Sequence, residues 1–291
     1  MDKLNLKHFQ RLKLIWSNLR RNKLATVGTF LIIFILLLAF FGPSLAPHDP
    51  IEQNLQKTRL KPNLEYPMGT DEFGRCILSR VLYGCRISLV IGISSILLAM
   101  VVGVSSGLLA GYYGRYLDAM IMRGVDIMLA FPYFLLAIAI VILLGPGVVN
   151  LIITIAIYTI PTFTRIVRGL VLSQKQNEYI EAAIAFGEND LNILFRYLLP
   201  NCLPSIIVFG TLRIGSAILV SSILGFLGLG ITPPTPEWGA MLSGGRSYLR
   251  AAPHIVFFPG IAIMITVLGF NLLGDGLRDI LDPRLREEAV K

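Results

Sequence analysis

Long uncharged apolar runs alternate with charged segments along the whole chain. Residues 24–41 hold no Asp, Glu, Lys or Arg and end at Gly42-Pro43, and residues 87–111 are equally free of charge. Residues 127–164 form a 38-residue uncharged stretch interrupted by Gly145-Pro146-Gly147, long enough for two crossings joined by a tight turn. A fifth run covers 204–231 with one charge, Arg213, and a sixth covers 255–274. About 20 apolar residues in a helix cross the roughly 30 Å of bilayer hydrocarbon. A helix also satisfies its own backbone hydrogen bonds there. The pattern predicts an all-α membrane protein with six transmembrane helices. Residues 24–41 are the first of them, 42–86 a hydrophilic connection, and 87–286 a five-helix core with a structured loop at 173–200. Residues 1–23 and 287–291 are short flanking segments.

Counting cations by side orients the chain. With the N-terminus inside, the inner segments carry 17 Lys and Arg and the outer ones 8. The positive-inside rule then places both termini in the cytoplasm and makes 42–86 external. A secretory signal peptide is the rival for the first run, since Ser44-Leu45-Ala46 resembles a cleavage site. The run exceeds the usual 7–15 residues, however, and Pro47 would follow the cut, so a retained helix is expected. Ahead of it Phe9, Leu12, Trp16 and Leu19 recur at helical spacing among Lys7, Arg11, Lys13, Arg20 and Arg21. That segment predicts a helix lying in the lipid interface.

Composition agrees: 54% of residues are hydrophobic and 15% charged, against about 25% charged in soluble domains. The net charge of +8 reflects cations flanking apolar runs, so no nucleic-acid partner is expected. The three cysteines (Cys76, Cys85, Cys202) are too scattered for a metal site or a disulfide framework. His8, His48 and His254 likewise lie in separate segments, and no metal site is expected.

The loop at 173–200 carries the most information. Ser173-Gln174-Lys175-Gln176 fits a capping box at a helix start. A short helix through Glu181-Ala182-Ala183 would stop at Gly187, which adopts positive φ without steric cost. Asn189 or Asp190 can cap a second helix with Leu191, Leu194, Phe195 and Leu198 on one face, closed by Leu199-Pro200. The first helix offers Glu and paired alanines with little bulk, which suits insertion into a partner's groove. Gly84, Gly92, Gly103, Gly107 and Gly111 in and beside the second run predict close helix packing. Phe131-Pro132 predicts a kink in the third.

Glu181-Ala182-Ala183, three residues, Gly187 and then Leu199-Pro200 resembles the cytoplasmic EAA loop of binding-protein-dependent ABC importers, with Tyr197 where an aliphatic residue is usual. Met68 to Arg75, Ser79-Arg80 and Arg86-Ile87-Ser88-Leu89 resemble the external segment of the C-type permease of the dipeptide, oligopeptide and nickel group. Phe226-Leu227-Gly228-Leu229-Gly230, Pro233-Pro234, Trp238-Gly239 and Asn271 to Asp279 with Leu281-Asp282-Pro283-Arg284 resemble the same group. Cys76 and Ser221 depart from it, standing where members commonly carry acids. The resemblance implies a type I ABC importer-like permease fold in the bacterial cytoplasmic membrane. It implies Glu181, Ala182, Ala183 and Gly187 as the docking site for ATP-binding subunits, which would bind ATP-Mg and hydrolyse it, so that this chain is no enzyme and holds no cofactor. A homologous permease and an extracytoplasmic solute-binding protein are the other implied protein partners, besides membrane lipid. The implied cargo is a di- or oligopeptide, with nickel or a metal chelate as the alternative.

Without that resemblance a secondary transporter, a channel or a membrane enzyme would compete. The chain has no G-x-x-x-x-G-K-[ST] phosphate loop of its own. It also lacks the intramembrane acids or histidines of a proton relay and any nucleophile–base set. A channel would not need the structured loop. Arg213 is the remaining candidate chemistry: a charge inside an apolar span costs several kcal/mol unless it meets water or a partner. Ser216 and Ser221 follow on its side of a helix, together with Ala217 and Val220, and these define a candidate translocation stripe. Cysteines placed near Gln174 and near Glu237, in a background lacking the native three, should label from opposite sides of the membrane. Labelling of both from outside by one impermeant reagent would overturn the six-span topology.

Overall fold

A computed structural model describes residues 23–281. The interfacial helix expected around Phe9, Leu12, Trp16 and Leu19 and the tail at 287–291 lie outside these residues. Nine helices are formed within the described chain. In order they are α1 (Lys23–Leu45), α2 (Ile77–Tyr113), α3 (Arg115–Ala130), α4 (Tyr133–Leu144), α5 (Val148–Gln174), α6 (Glu178–Ala185), α7 (Asp190–Phe226), α8 (Trp238–Gly245) and α9 (His254–Leu281). Five of them, α1, α2, α5, α7 and α9, are long and apolar enough to cross a membrane. The apolar pair α3–α4, bent by 93° where Pro132 follows Phe131, makes a sixth crossing if the two helices count as one span. Pro removes a backbone donor and disfavours helical φ/ψ in the residue before it, and Phe131 is extended at φ −84°, ψ 138°.

Two helices run well past their apolar runs. α2 starts at Ile77 rather than near 87, which shortens the hydrophilic segment to 46–76 and takes Arg80 and Arg86 into the helix. At 37 residues it is about 55 Å long, so it projects beyond any bilayer. Charge at Arg80 is tolerated because its side chain is buried among acceptors. Its guanidinium donates to the Pro50 carbonyl at 2.8 Å and the Pro234 carbonyl at 3.2 Å, and lies 3.5 Å from Asp71.

α7 likewise passes straight through Leu199-Pro200, where the sequence predicts a stop. A π-turn spans Ile193–Leu198, and the Leu199 amide donates to Leu194, five residues back. That shift of register comes immediately before the proline that lacks a donor, so the break is absorbed within one turn.

The core is built on α2. Its largest interface is with α5, and α1, α7 and α9 pack around them. Glycines set the approach: a Cβ on Gly107 would lie 2.7 Å from both the Thr164 carbonyl oxygen and the Val167 Cβ, and one on Gly103 2.5 Å from the Phe163 Cβ. Ile91, Ile96, Leu151, Ile155, Phe163 and Val167 fill the seam and are almost wholly buried. Gly28 against Leu272 and Leu273 brings α1 equally close to α9. The motif from Met68 to Arg75 has its own physical reason. Gly69 and Gly74 take φ of +78° and +75°, and the Asp71 carboxylate accepts from the Phe73 and Arg75 amides and from Arg75 Nε at 2.6 Å. The 46–76 segment is thereby a rigid cap on one end of the bundle, the end that also carries α8.

Glu237, which caps α8, is wholly buried. Exposed Leu249 in the same segment is therefore the better labelling position for the topology test. Gly107→Ala should strain the α2–α5 seam by roughly 1–3 kcal/mol. Gly124→Ala, with no atom within 4 Å of the added carbon, should not. Thermal unfolding of the purified chain in detergent should show the first variant melting several degrees lower and the second unchanged.

Candidate functional site: a braced loop and a polar face across the bundle

Opposite the rigid cap, the segment between α5 and α7 forms a compact hairpin. The expected capping box is not there, because Ser173 and Gln174 are the last residues of α5, whose packing against α2 runs to Val171. α6 begins instead at Glu178, after Asn177, whose amide donates to the Gln174 carbonyl and side chain. The helix ends at Gly187 as the sequence predicts. Gly187 has φ +75°, its amide donates to Ile184 and the Glu188 amide to Ala183, the paired bonds that satisfy orphan carbonyls at a helix terminus. Asn189 then caps α7 by accepting from the Leu191 amide.

One face of this hairpin is buried and the other open. Ile180 and Ala183 point inward with Ile193, Leu194 and Leu198. Leu191 and Phe195, expected on the same face as Leu194 and Leu198, are exposed, and the π-turn changes the helical register between them. Glu181, Ala182, Ile184, Phe186 and Gly187 all face outward, Phe186 at 89% exposure. The outward face is thus bulkier than the expected Glu and paired alanines.

Polar bonds brace the hairpin to the bundle. The Tyr112 hydroxyl at the end of α2 donates to Asp190 at 2.7 Å, and Lys175 donates to the Tyr112 carbonyl at 2.8 Å while lying over its ring. Nearly two turns before the end of α5, Arg168 forks onto Asp118 of α3 with bonds of 2.5 and 2.6 Å. The start of α7 and the segment before α6 are therefore tied to the end of α2, and α5 is tied to α3. Sequence reading missed these braces, since nothing in spacing links Tyr112 to Asp190 78 positions later.

The candidate stripe on α7 is divided by the structure. Arg213 is half-buried with its guanidinium 4.7 Å from the Phe209 ring centre, and Phe209 packs edge-on against Phe163 of α5. Ser216 is exposed, in line with Leu219, Ile223 and Phe226, whereas Ser221 is buried in the packed seam with no hydrogen-bond partner for its hydroxyl. The three do not share one open face. What accompanies Arg213 instead comes from α5: Tyr158, within reach of the Arg213 charge and 6.2 Å from the Tyr133 ring. Farther along the same helix Arg165 pairs with Asp126 of α3 at 2.5 Å. These last two stand immediately outside the ends of the uncharged run 127–164, the only trace they leave in the sequence.

At the capped end, Asp71, Arg75 and Arg80 form a buried ionic cluster with Glu72 beside it. A cavity of about 450 Å³ opens there, lined by Glu72, Thr232, Ser243, Ser247 and Tyr248 among others. Burial pushes the Glu72 carboxyl above its ordinary range, and burial does the same to Glu237, opposed by the Gly239 and Ala240 amides that its carboxylate accepts.

Residues 103–287 match the family described as the binding-protein-dependent transport system inner membrane component, and residues 10–62 match the N-terminal TM domain of oligopeptide transport permease C. Among curated relatives, the dipeptide transport system permease protein DppC of Alkalihalophilus pseudofirmus is 49% identical, over 93% of this chain and 89% of the relative. The glutathione transport system permease protein GsiD of Pectobacterium atrosepticum is 47% identical, over 93% and 90%. The di/tripeptide transport system permease protein DppC of Pseudomonas aeruginosa is 44% identical, over 96% and 94%. Of solved structures, an inward-facing conformation of the MetNI methionine ABC transporter superposes with TM-score 0.56 at 20% identity, covering 69% of this chain and 95% of that one.

Asp190→Ala removes the acceptor of the Tyr112 hydroxyl. A hydrogen bond to a charged group in a part-open setting contributes about 1 kcal/mol. Hydrogen exchange of amides 188–199 should accelerate roughly fivefold, with exchange in α2 unchanged.

Proposed function

The chain belongs to the family of binding-protein-dependent transport system inner membrane components. It is a multi-pass permease of an ABC importer, and from that premise we propose that it carries di- or oligopeptides inward, driven by ATP-binding subunits seated on the hairpin around α6. Three relatives named for dipeptide, glutathione and di/tripeptide transport support a peptide cargo over nickel or a metal chelate. In this reading both termini and α6 lie in the cytoplasm, and the rigid cap meets the external solute-binding protein. A homologous permease completes the bundle, and the ATPase subunits hold ATP-Mg. No cofactor belongs to this chain.

One observation carries the docking role. α6 is anchored on one side by buried Ile180 and Ala183, while Glu181, Ala182, Ile184 and Phe186 are presented to solvent. An exposed aromatic beside a carboxylate is a poor ending for a free surface and a good knob for a partner's pocket. Rigidity makes the knob useful. Force on α6 passes through Asp190–Tyr112 and Lys175–Tyr112 to the end of α2, rather than dissipating in a slack loop. ATP-driven closure of the docked subunits would then rock the bundle around Arg213, which faces the solute path between the two permeases.

Glu181→Lys reverses the charge offered to the ATPase, Phe186→Ala removes the knob, and Gly187→Val forces a β-branched residue to φ +75°. Measured in the complete importer reconstituted in proteoliposomes, each should cut peptide-stimulated ATP hydrolysis and uptake at least tenfold while the chain still inserts. Native uptake by all three would overturn the docking role.

A further inference from the structure

The cavity at the capped end has no part in the roles described so far. Arg75 and Arg80 line it, with side chains only 5% and 4% exposed. Their bonds do not use all their donors. Arg75 donates to Asp71 through Nε and reaches Glu72 through Nη2 at 3.4 Å. Arg80 donates through Nη1 to the Pro50 and Pro234 carbonyls and sets Nε 3.5 Å from Asp71. Arg75 Nη1 and Arg80 Nη2 are left without an acceptor among the described residues. Neither nitrogen is shut off from solvent, and the space that meets these two buried side chains is the cavity. Glu72 completes the charged wall. Its side chain is 15% exposed, and its 3.4 Å approach to Arg75 is long beside the about 2.7–2.9 Å of a charge-assisted bond. Asp71, by contrast, is fully engaged by the Phe73 and Arg75 amides and Arg75 Nε. Thr232 and Ser247 also line the cavity and are exposed, which marks its mouth. Its volume of about 450 Å³ falls within the roughly 300–1,000 Å³ of small-molecule sites.

We propose that this cavity is a solute subsite, in which Arg75 and Arg80 receive the carboxylate of a zwitterionic dipeptide and Glu72 receives its ammonium. Buried guanidinium donors call for an acceptor, and a carboxylate meets them with charge-assisted bonds. The charge count selects a zwitterion. Asp71 and Glu72 balance Arg75 and Arg80, so a lone anion or cation would leave the buried wall with a net charge. A dipeptide adds one charge of each sign and keeps it neutral. Gly244 leaves room beside the carboxylate, since a Cβ there would lie 2.7 Å from Glu72 Oε1. This assignment rests on the peptide reading above, in which the capped end faces outside, and makes the cavity a station that solute occupies before reaching Arg213.

Arg75 and Arg80 also hold the cap together, so the test leaves them in place. In the complete importer in detergent, Ser247→Cys at the mouth is labelled with a water-soluble methanethiosulfonate. Leu249→Cys, exposed nearby but outside the cavity lining, is the control. The three native cysteines are buried. Millimolar dialanine should slow labelling at 247 roughly fivefold and leave 249 unchanged. N-acetyl-dialanine amide, which carries neither charge, should protect neither position. Adding Glu72→Gln should abolish the protection while the permease still co-purifies with its partner subunits. Gly244→Ala, which sets a methyl group against Glu72, should weaken it and serves where Glu72→Gln fails to assemble. Equal protection by the capped peptide, or full protection that survives both substitutions, would overturn the proposal. So would an unprotected residue 247 in an importer that takes up dialanine. Failure of the native importer, reconstituted with its solute-binding protein, to take up any di- or tripeptide would instead strike the peptide reading, since uptake is measured apart from labelling.

Discussion

Backbone-to-backbone packing of α2 and α5 is the constraint on which the rest depends. In a bilayer no hydrophobic force drives helices together, so contact has to come from close fit. Gly103, Gly107 and Gly111 provide that fit, each leaving space that an added Cβ would fill with α5 atoms. Because these glycines fall in the last third of α2, the two helices end side by side. That coincidence brings Tyr112 and Lys175 into contact, and the hairpin carrying α6 hangs from their bonds. The same seam turns Phe163, Val167 and Val171 of α5 inward and leaves Arg165 exposed.

Charge placement follows from the same lack of water. The charges of the helical region are either sealed with partners or paired at the surface. The capped end shows the first solution: Asp71, Arg75 and Arg80 are almost fully buried and held by one another and by backbone carbonyls. Arg168 with Asp118 is intermediate. Arg165 with Asp126 shows the second. Removing one member of the sealed cluster leaves an uncompensated charge and costs several kcal/mol, whereas the open pair can be broken and remade.

The amino-acid sequence alone determined the membrane class, the six apolar runs, the glycine-mediated packing of α2, the break at Phe131-Pro132 and the Gly187 turn. These are local properties: hydrophobicity, backbone freedom and the missing proline donor act within a few residues. It also grouped Glu181, Ala182, Ala183 and Gly187 on one loop, where the structure exposes the first two and Gly187 but turns Ala183 inward. It misplaced the stop at Pro200 and the capping box at Ser173, and it grouped Ser221 with Arg213. Only the tertiary structure decided those. The π-turn at Ile193–Leu198, within which Leu194 and Leu198 are buried and Phe195 is exposed, is a response to packing that no local preference announces. Ser221 is buried because of what α8 and α2 set against α7, and Asp126 meets Arg165 because a 93° bend and a tight turn return the chain to the same face. Pairing over such separations depends on how whole helices cross, and that is fixed by the fit of surfaces far apart in the chain.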